Sequence, residues 1–356
     1  MTSLASTMSA VVWHAPLDVR VEEVPLPPAP GPGQVLVEVI RCGLCGTDRR
    51  TYKRAPSAHP ELPHPLTGHS GPVTLGHEIF GRILACGPEV PPALEPGMRV
   101  AVNPMWACGK CASCRRGAQQ ICEVFGCSGM TANGGLASQV IVPALGMAPV
   151  PDSVSDDAAA MAEPLAVAVH AVLRSGLRPN DRVVVAGLGP IGACVALSAR
   201  ALGAGEVVVS ARSEQRRRLA AELGFAVIAD TETGEPRDGV SLPHDYADVS
   251  FDCAGAEETL DLCLRATRPG GRIVVPAVSS GRTPVALTRL VMGERTITGS
   301  LGYNGDIARA VALMANGSVD VRPLISEVMP LADVPAWLAE PVTAGSGPKV
   351  LVNPSA

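Results

Sequence analysis

Residues 182–204 read RVVVAGLGPIGACVALSARALGA: a short run of β-branched residues, a turn with three glycines, and an apolar helical stretch. Few sequences constrain a fold as tightly. A valine run of this length suits a buried strand, and the alanine-rich segment after it suits a helix packed on that strand. Gly187 permits the tight turn, Gly189 lets the backbone approach a pyrophosphate, and Gly192 lets helix and strand pack closely. With Pro190 and Ile191 they form a helix N-terminus whose free N–H groups and positive dipole end face an anion. The bland alternative is a glycine turn without a ligand.

The same grammar continues downstream. VVVS at 207–210, a helix over 214–223 and a strand over 225–229 come next, followed by VSFDCAG at 249–255. A helix over 257–266 and strands over 272–276 and 296–300 complete the run. Strands alternating with helices imply parallel βαβ units, hence an α/β, doubly wound sheet. The end of its second strand bears on which dinucleotide is bound. A carboxylate there would accept hydrogen bonds from the adenosine ribose. This chain has Ala211 in that place, preceded by Ser210 and followed by Arg212, with Arg216 one helical turn on. Absence of the carboxylate removes repulsion against a 2′-phosphate, which a guanidinium binds in bidentate fashion. NADP(H) is therefore favoured over NAD(H); the alternative is that Arg212 is a solvated charge.

At 356 residues the chain exceeds one ordinary core, so two domains are expected. The first third alternates short β-rich runs (11–13, 19–24, 35–40, 81–86, 98–102, 136–142) with proline and glycine, which suggests a barrel-like, mainly antiparallel domain. Over 157–173 runs an apolar helical stretch in which Pro164 either breaks the helix or opens a second one. The tail from 306 holds a helix and ends on strand-like KVLVNP, which fits as material returning to the first domain. A net charge of −5 and 3% aromatics leave no positive field or stacking platform for nucleic acid. No segment approaches the roughly 20 apolar residues of a membrane helix. The first ten residues lack a signal-peptide pattern, and Met8 is an alternative start. A cytoplasmic location follows, in which the 11 cysteines read as thiols or metal ligands.

Cys108, Cys111, Cys114 and Cys122 fall in the pattern C-x2-C-x2-C-x7-C. Four thiolates so close together match a closed tetrahedral structural zinc; a redox pair would leave two of them unexplained. GLCGTD at 43–48, GHE at 76–78 and EPLAVAVH at 163–170 are unremarkable one by one.

Taken in order, however, GLCGTD, GHEIFGRILACG, the four-cysteine lobe, AEPLAVAVHAV and VAGLGPIG resemble the zinc-dependent medium-chain dehydrogenases/reductases over nearly the whole chain. HPLTGHSGPVTLGHE at 64–78 and GSLGYNGD at 299–306 are most similar to the butanediol dehydrogenase branch, near the sorbitol and threonine dehydrogenases. The resemblance implies a GroES-like β-barrel catalytic domain over 1–162 and 304–356 and a Rossmann domain over 163–303. It implies that Cys45, His77 and Glu163 hold a catalytic zinc, with Glu78 able to exchange as a ligand and Asp48 orienting His77. Of the pair Cys42 and Cys45, the second would be the ligand. A thiolate, an imidazole and a carboxylate leave one coordination position open, as catalytic zinc requires.

By the same resemblance the reaction is reversible oxidation of a secondary alcohol or vicinal diol to a ketone, with zinc as Lewis acid and hydride passing to the nicotinamide. Polyol, aminocyclitol or specialised-metabolite oxidation, with NAD(H) in place of NADP(H), is the alternative. Thr47 would pass the substrate proton on. The related enzymes commonly carry His three residues later, where this chain has Arg50, which cannot act as a base. Either the proton leaves by water or another group, or Arg50 contacts a cofactor phosphate. Ala277, Val278, Ser300, Leu301 and Gly302 would line the cofactor. His59, His64 and His69 read as surface-loop residues, and His170 as a packed residue near the cofactor. Cys86, Cys127, Cys194, Cys253 and Cys263 read as small buried residues. A homodimer or homotetramer paired through edge strands around 285–300 is expected.

Overall fold

Residues 6–53, 62–228, 242–279, 281–340 and 348–356 are described by the computed structural model. His59 therefore lies outside the described residues. Two sheet systems divide the chain. In the first, Gln34–Gly43 is the central strand. It pairs antiparallel with Glu78–Cys86, with Gln139–Pro143 and with the C-terminal strand Lys349–Asn353. Alternation along it points Val35, Val37 and Val39 inward, where they meet Val100, Leu136, Val140, Val142 and Val352 in one core. A three-stranded sheet, in the order Asp18–Pro25, Thr7–Ala15, Val73–Thr74, adds to this β-domain.

The second system is a six-stranded sheet in the spatial order Ala226–Val227, Glu206–Ser210, Arg182–Ala186, Ala247–Asp252, Thr267–Val275, Thr296–Gly299. Every neighbouring pair is parallel. Counted in chain order the strands run 3-2-1-4-5-6, the doubly wound order whose ligand crevice lies where the winding reverses. Val183, Val184 and Val185 are fully buried because helices cover both faces. The architecture is thus α/β, a GroES-like β-domain with a Rossmann sheet.

Some local expectations are amended. The stretch expected over 157–173 is two helices, Asp156–Ala159 and Ala162–Arg174, and Pro164 sits in the first turn of the second, where its missing N–H costs nothing. The strand expected over 225–229 is only Ala226–Val227. The stretch around 285–300 is not one edge strand: helix Leu287–Met292 precedes strand Thr296–Gly299. Helix Gly46–Lys53 was not anticipated, because GTDRRTYK has no apolar stripe to announce it. Among the described residues no helix is long and apolar enough to cross a membrane.

Candidate active site and metal centres

Strand pairing assembles the first site. Gly43 ends the central strand opposite Glu78, so Cys45, just beyond, comes beside His77. The Cys45 N–H donates to Asp48 Oδ2 at 2.8 Å, which ties the turn into the helix Gly46–Lys53. Asp48 Oδ1 lies 3.5 Å from His77 Nδ1, with both side chains buried. Burial works against an imidazolium at His77, but the Asp48 carboxylate and then Cys45 outweigh it and raise its pKa well above the ordinary value. One ligand atom each from Cys45, His77 and Glu78 falls within 4.8 Å of the others. Glu163, on the first turn of helix Ala162–Arg174, stands outside that trio. Its carboxyl is nonetheless electrically coupled to the site. Burial, then the charge of Glu78, push it up to about 7, against the pull of His77, Lys349 and Tyr303.

Lys349 is a residue the sequence reading did not single out. It opens the apolar strand Lys349–Asn353, is 3% exposed, and ion-pairs with the equally buried Glu78 while donating to the Leu44 carbonyl at 2.9 Å. Burial alone would push its ammonium pKa down, yet Glu78 beside it holds it above the usual value. Gly43 makes room for this pair: a Cβ there would collide with the Glu78 carboxylate. The signal was a lone cation at the head of a buried strand. Cys42, by contrast, is fully buried, and desolvation raises its thiol far above the ordinary range. It is an inert neighbour of the site.

The second cluster is compact. Sulfurs of Cys108, Cys111, Cys114 and Cys122 all lie within 4.8 Å of one another, with Cys108–Cys114 and Cys111–Cys122 at 4.0 Å. Bonds of about 2.3 Å to one tetrahedral zinc would set sulfurs about 3.8 Å apart. Backbone N–H groups already serve as donors to these sulfurs, Cys111 to Cys108 and Cys108 to Cys122, each at 3.3 Å. The N–H groups of Glu123 and Cys114 pull the Cys111 thiol down to about 6. The donor set suits a closed zinc site.

The glycine turn behaves as its sequence implies. Gly187 has φ +93°, and Gly192 packs so closely that a Cβ would strike the Gly187 carbonyl. Gly189 caps helix Pro190–Ala201, with Pro190 and Ile191 in its first turn. Arg216 Nη1 donates to the Leu188 carbonyl at 2.5 Å, which lays its guanidinium against this turn. Ser210 ends its strand, Ala211 is buried and Arg212 is exposed. Ala277 and Val278 follow strand Thr267–Val275, and Ser300, Leu301 and Gly302 follow strand Thr296–Gly299. All stand at the carboxyl edge of the parallel sheet, on the side of the glycine turn.

Arg50 spans the cleft between the two sheet systems. Its Nη2 donates to Thr47 Oγ1 at 2.8 Å and its Nη1 to the Val278 carbonyl at 3.1 Å. Neither partner is a phosphate, and the guanidinium holds the Thr47 hydroxyl oxygen as an acceptor. His64 Nε2 lies 3.1 Å from the Phe125 carbonyl, so the loop before GHE is pinned to the four-cysteine lobe. His69 is half-buried in the same loop. His170 is buried on helix Ala162–Arg174 with Nδ1 2.8 Å from Asp306. Cys127, Cys194 and Cys263 are buried, Cys86 and Cys253 half-buried, and burial raises the pKa of every one.

Comparison with known proteins agrees with this architecture. Residues 31–152 match the alcohol dehydrogenase GroES-like domain, and residues 190–316 match the zinc-binding dehydrogenase family. The chain is 32% identical over 335 residues to L-idonate 5-dehydrogenase of Vitis vinifera, covering 92% of this chain and 89% of that protein. It is 30% identical over 357 residues to (R,R)-butanediol dehydrogenase of Bacillus subtilis, covering 98% and 100%. Among solved structures, one from Sinorhizobium meliloti 1021, described as a zinc-binding dehydrogenase bound to NADP, superposes with TM-score 0.87. It is 32% identical, over 98% of this chain and 100% of that one.

Proposed function

Because this chain belongs to the zinc-binding alcohol dehydrogenase family, we propose that it exchanges a hydride between NADP(H) and a secondary alcohol that carries a neighbouring hydroxyl, a vicinal diol or polyol, or the matching ketone. The observation that carries this reading is the convergence of a thiol, an imidazole and a carboxylate within 4.8 Å, beside a second carboxyl, that of Glu163, which burial and Glu78 push up to about 7. In our assignment Cys45, His77 and Glu163 hold the catalytic zinc. Glu78 already has Lys349 as its counter-charge, whereas Glu163 is desolvated and pushed up to about 7, so a cation there would relieve it most. Glu78 then serves as the exchangeable carboxylate. Cys108, Cys111, Cys114 and Cys122 hold the structural zinc. When bound, the catalytic zinc would supply a Lewis acid that lowers the pKa of the substrate hydroxyl, and the nicotinamide would supply the hydride acceptor.

The protein's own groups do the rest in this account. Asp48 fixes the tautomer and tilt of His77. Thr47, its oxygen held by Arg50, takes the substrate proton as it releases its own; Arg50 cannot accept that released proton, so it leaves to water. We divide the chain at 162/163 and 303/304 into a catalytic part and a cofactor part. A homodimer or homotetramer in the cytoplasm is our reading of its working form. Leu287, Val291 and Met292, each at least 66% exposed next to the edge strand Thr296–Gly299, support the pairing.

Arg212 and Arg216 are assigned to the 2′-phosphate, and an NADP-bound relative at 32% identity supports that choice. The test is a panel of diols, polyols and ketones assayed with both cofactors. NADP(H) is expected to win in kcat/KM. Ala211→Asp should lower the NADP-to-NAD ratio by about ten- to a hundredfold, the value of one or two charge-assisted hydrogen bonds turned to repulsion. A parent enzyme that prefers NAD(H) would refute the cofactor assignment.

A further inference from the structure

Tyr303 sits in GSLGYNGD, is 1% exposed, and its hydroxyl makes no well-formed hydrogen bond. It lies against the Glu163 carboxyl, hydroxyl beside carboxylate, in a contact that falls short of full hydrogen-bond geometry. A buried phenolic hydroxyl left with an incomplete hydrogen bond is costly, so the Tyr303–Glu163 contact is expected to close in the working enzyme.

The surroundings hold this ring in place from two sides. Asn304, the next residue, donates through Nδ2 to the Gly117 carbonyl of the four-cysteine lobe at 2.5 Å. Its backbone N–H donates to Asp306 Oδ2 at 3.0 Å, and the same oxygen lies 2.8 Å from His170 Nδ1. His170 and Glu163 stand seven residues apart on helix Ala162–Arg174, hence on one face two turns apart. The helix that presents Glu163 therefore also clamps, through His170 and Asp306, the segment that presents Tyr303. On the other side, Gly302 has φ +53° and a Cβ there would strike the Met105 methyl, so the backbone before Tyr303 is closely confined.

We propose that Tyr303 is the positioning residue for Glu163: its hydroxyl donates to one carboxylate oxygen and so turns the other toward the catalytic metal. The inference rests on the reading of Glu163 as a zinc ligand. Outer partners of this kind commonly change metal affinity by about 10–100-fold.

The test uses the zinc-loaded full chain and follows zinc release to an excess of chelator for the parent, Tyr303→Phe, Glu163→Gln and the double variant. Phe keeps the ring and removes only the hydroxyl. Tyr303→Phe is expected to release one zinc at least tenfold faster, leave the zinc of the four-cysteine lobe unchanged, and add nothing in the Glu163→Gln background. If Tyr303→Phe releases zinc at the parent rate while Glu163→Gln is fast, the inference is overturned. Equal acceleration in both backgrounds would also overturn it, since packing alone would then explain the effect. Should Glu163→Gln itself match the parent, the ligand reading fails and carries the inference with it, a pattern distinct from the other two.

Discussion

Replacing Cys45 by serine is expected to lower turnover by at least about a thousandfold, roughly 4 kcal/mol of barrier, while nicotinamide cofactor binding stays within about twofold of the parent. The thiol is one of three donors that converge within 4.8 Å, and a hydroxyl does not replace it as an anionic ligand at neutral pH. The glycine turn and the carboxyl edge of the parallel sheet are built from other segments, so cofactor affinity has no reason to follow. Ketone reduction assayed alongside a fluorescence titration of the reduced cofactor separates the two quantities. Unchanged turnover in that variant would remove Cys45 from the catalytic centre.

Lys349→Met should destabilise the fold by about 3–5 kcal/mol, the usual cost of stripping a buried ion pair of one partner. Lys349 and Glu78 are 3% and 1% exposed, so the carboxylate left behind has no water to replace the ammonium. The strand Lys349–Asn353 also closes the β-domain onto the central strand, where Leu351 and Val352 face Gly43 and Cys42. The loss would therefore appear as global instability. Denaturant midpoints of metal-free protein give the number. Adding Glu78→Gln to Lys349→Met should recover most of it, since a neutral amide tolerates the site far better than a lone carboxylate. A single variant within 1 kcal/mol of the parent would mean that the pair contributes little.

Residues with a local rule were legible in the sequence; residues recruited across the fold were not. The glycine turn at 187–192 and the cysteine lobe at 108–122 carry their chemistry in spacing, so both could be read without coordinates. Helix Glu257–Ala266 likewise matched its apolar periodicity. Helix Gly46–Lys53 did not, because its partners are tertiary: Arg49 stacks over Trp337 at 3.7 Å and donates to the Glu340 carbonyl. Lys349 and Tyr303 were missed for a related reason. Tyr303 lies 140 residues from Glu163 and Lys349 lies 271 residues from Glu78, and no spacing rule ties either residue to the carboxylate it faces. Arg50 was recognised as a departure from the usual pattern, but its link to the Val278 carbonyl depends on how the two sheet systems meet.

Elemental analysis of the purified, active enzyme, paired with anomalous scattering at the zinc edge, should find two zinc ions per chain, one among the four lobe cysteines and one at Cys45 and His77. Full activity from protein whose Cys45–His77 pocket shows no metal would contradict the catalytic zinc assignment.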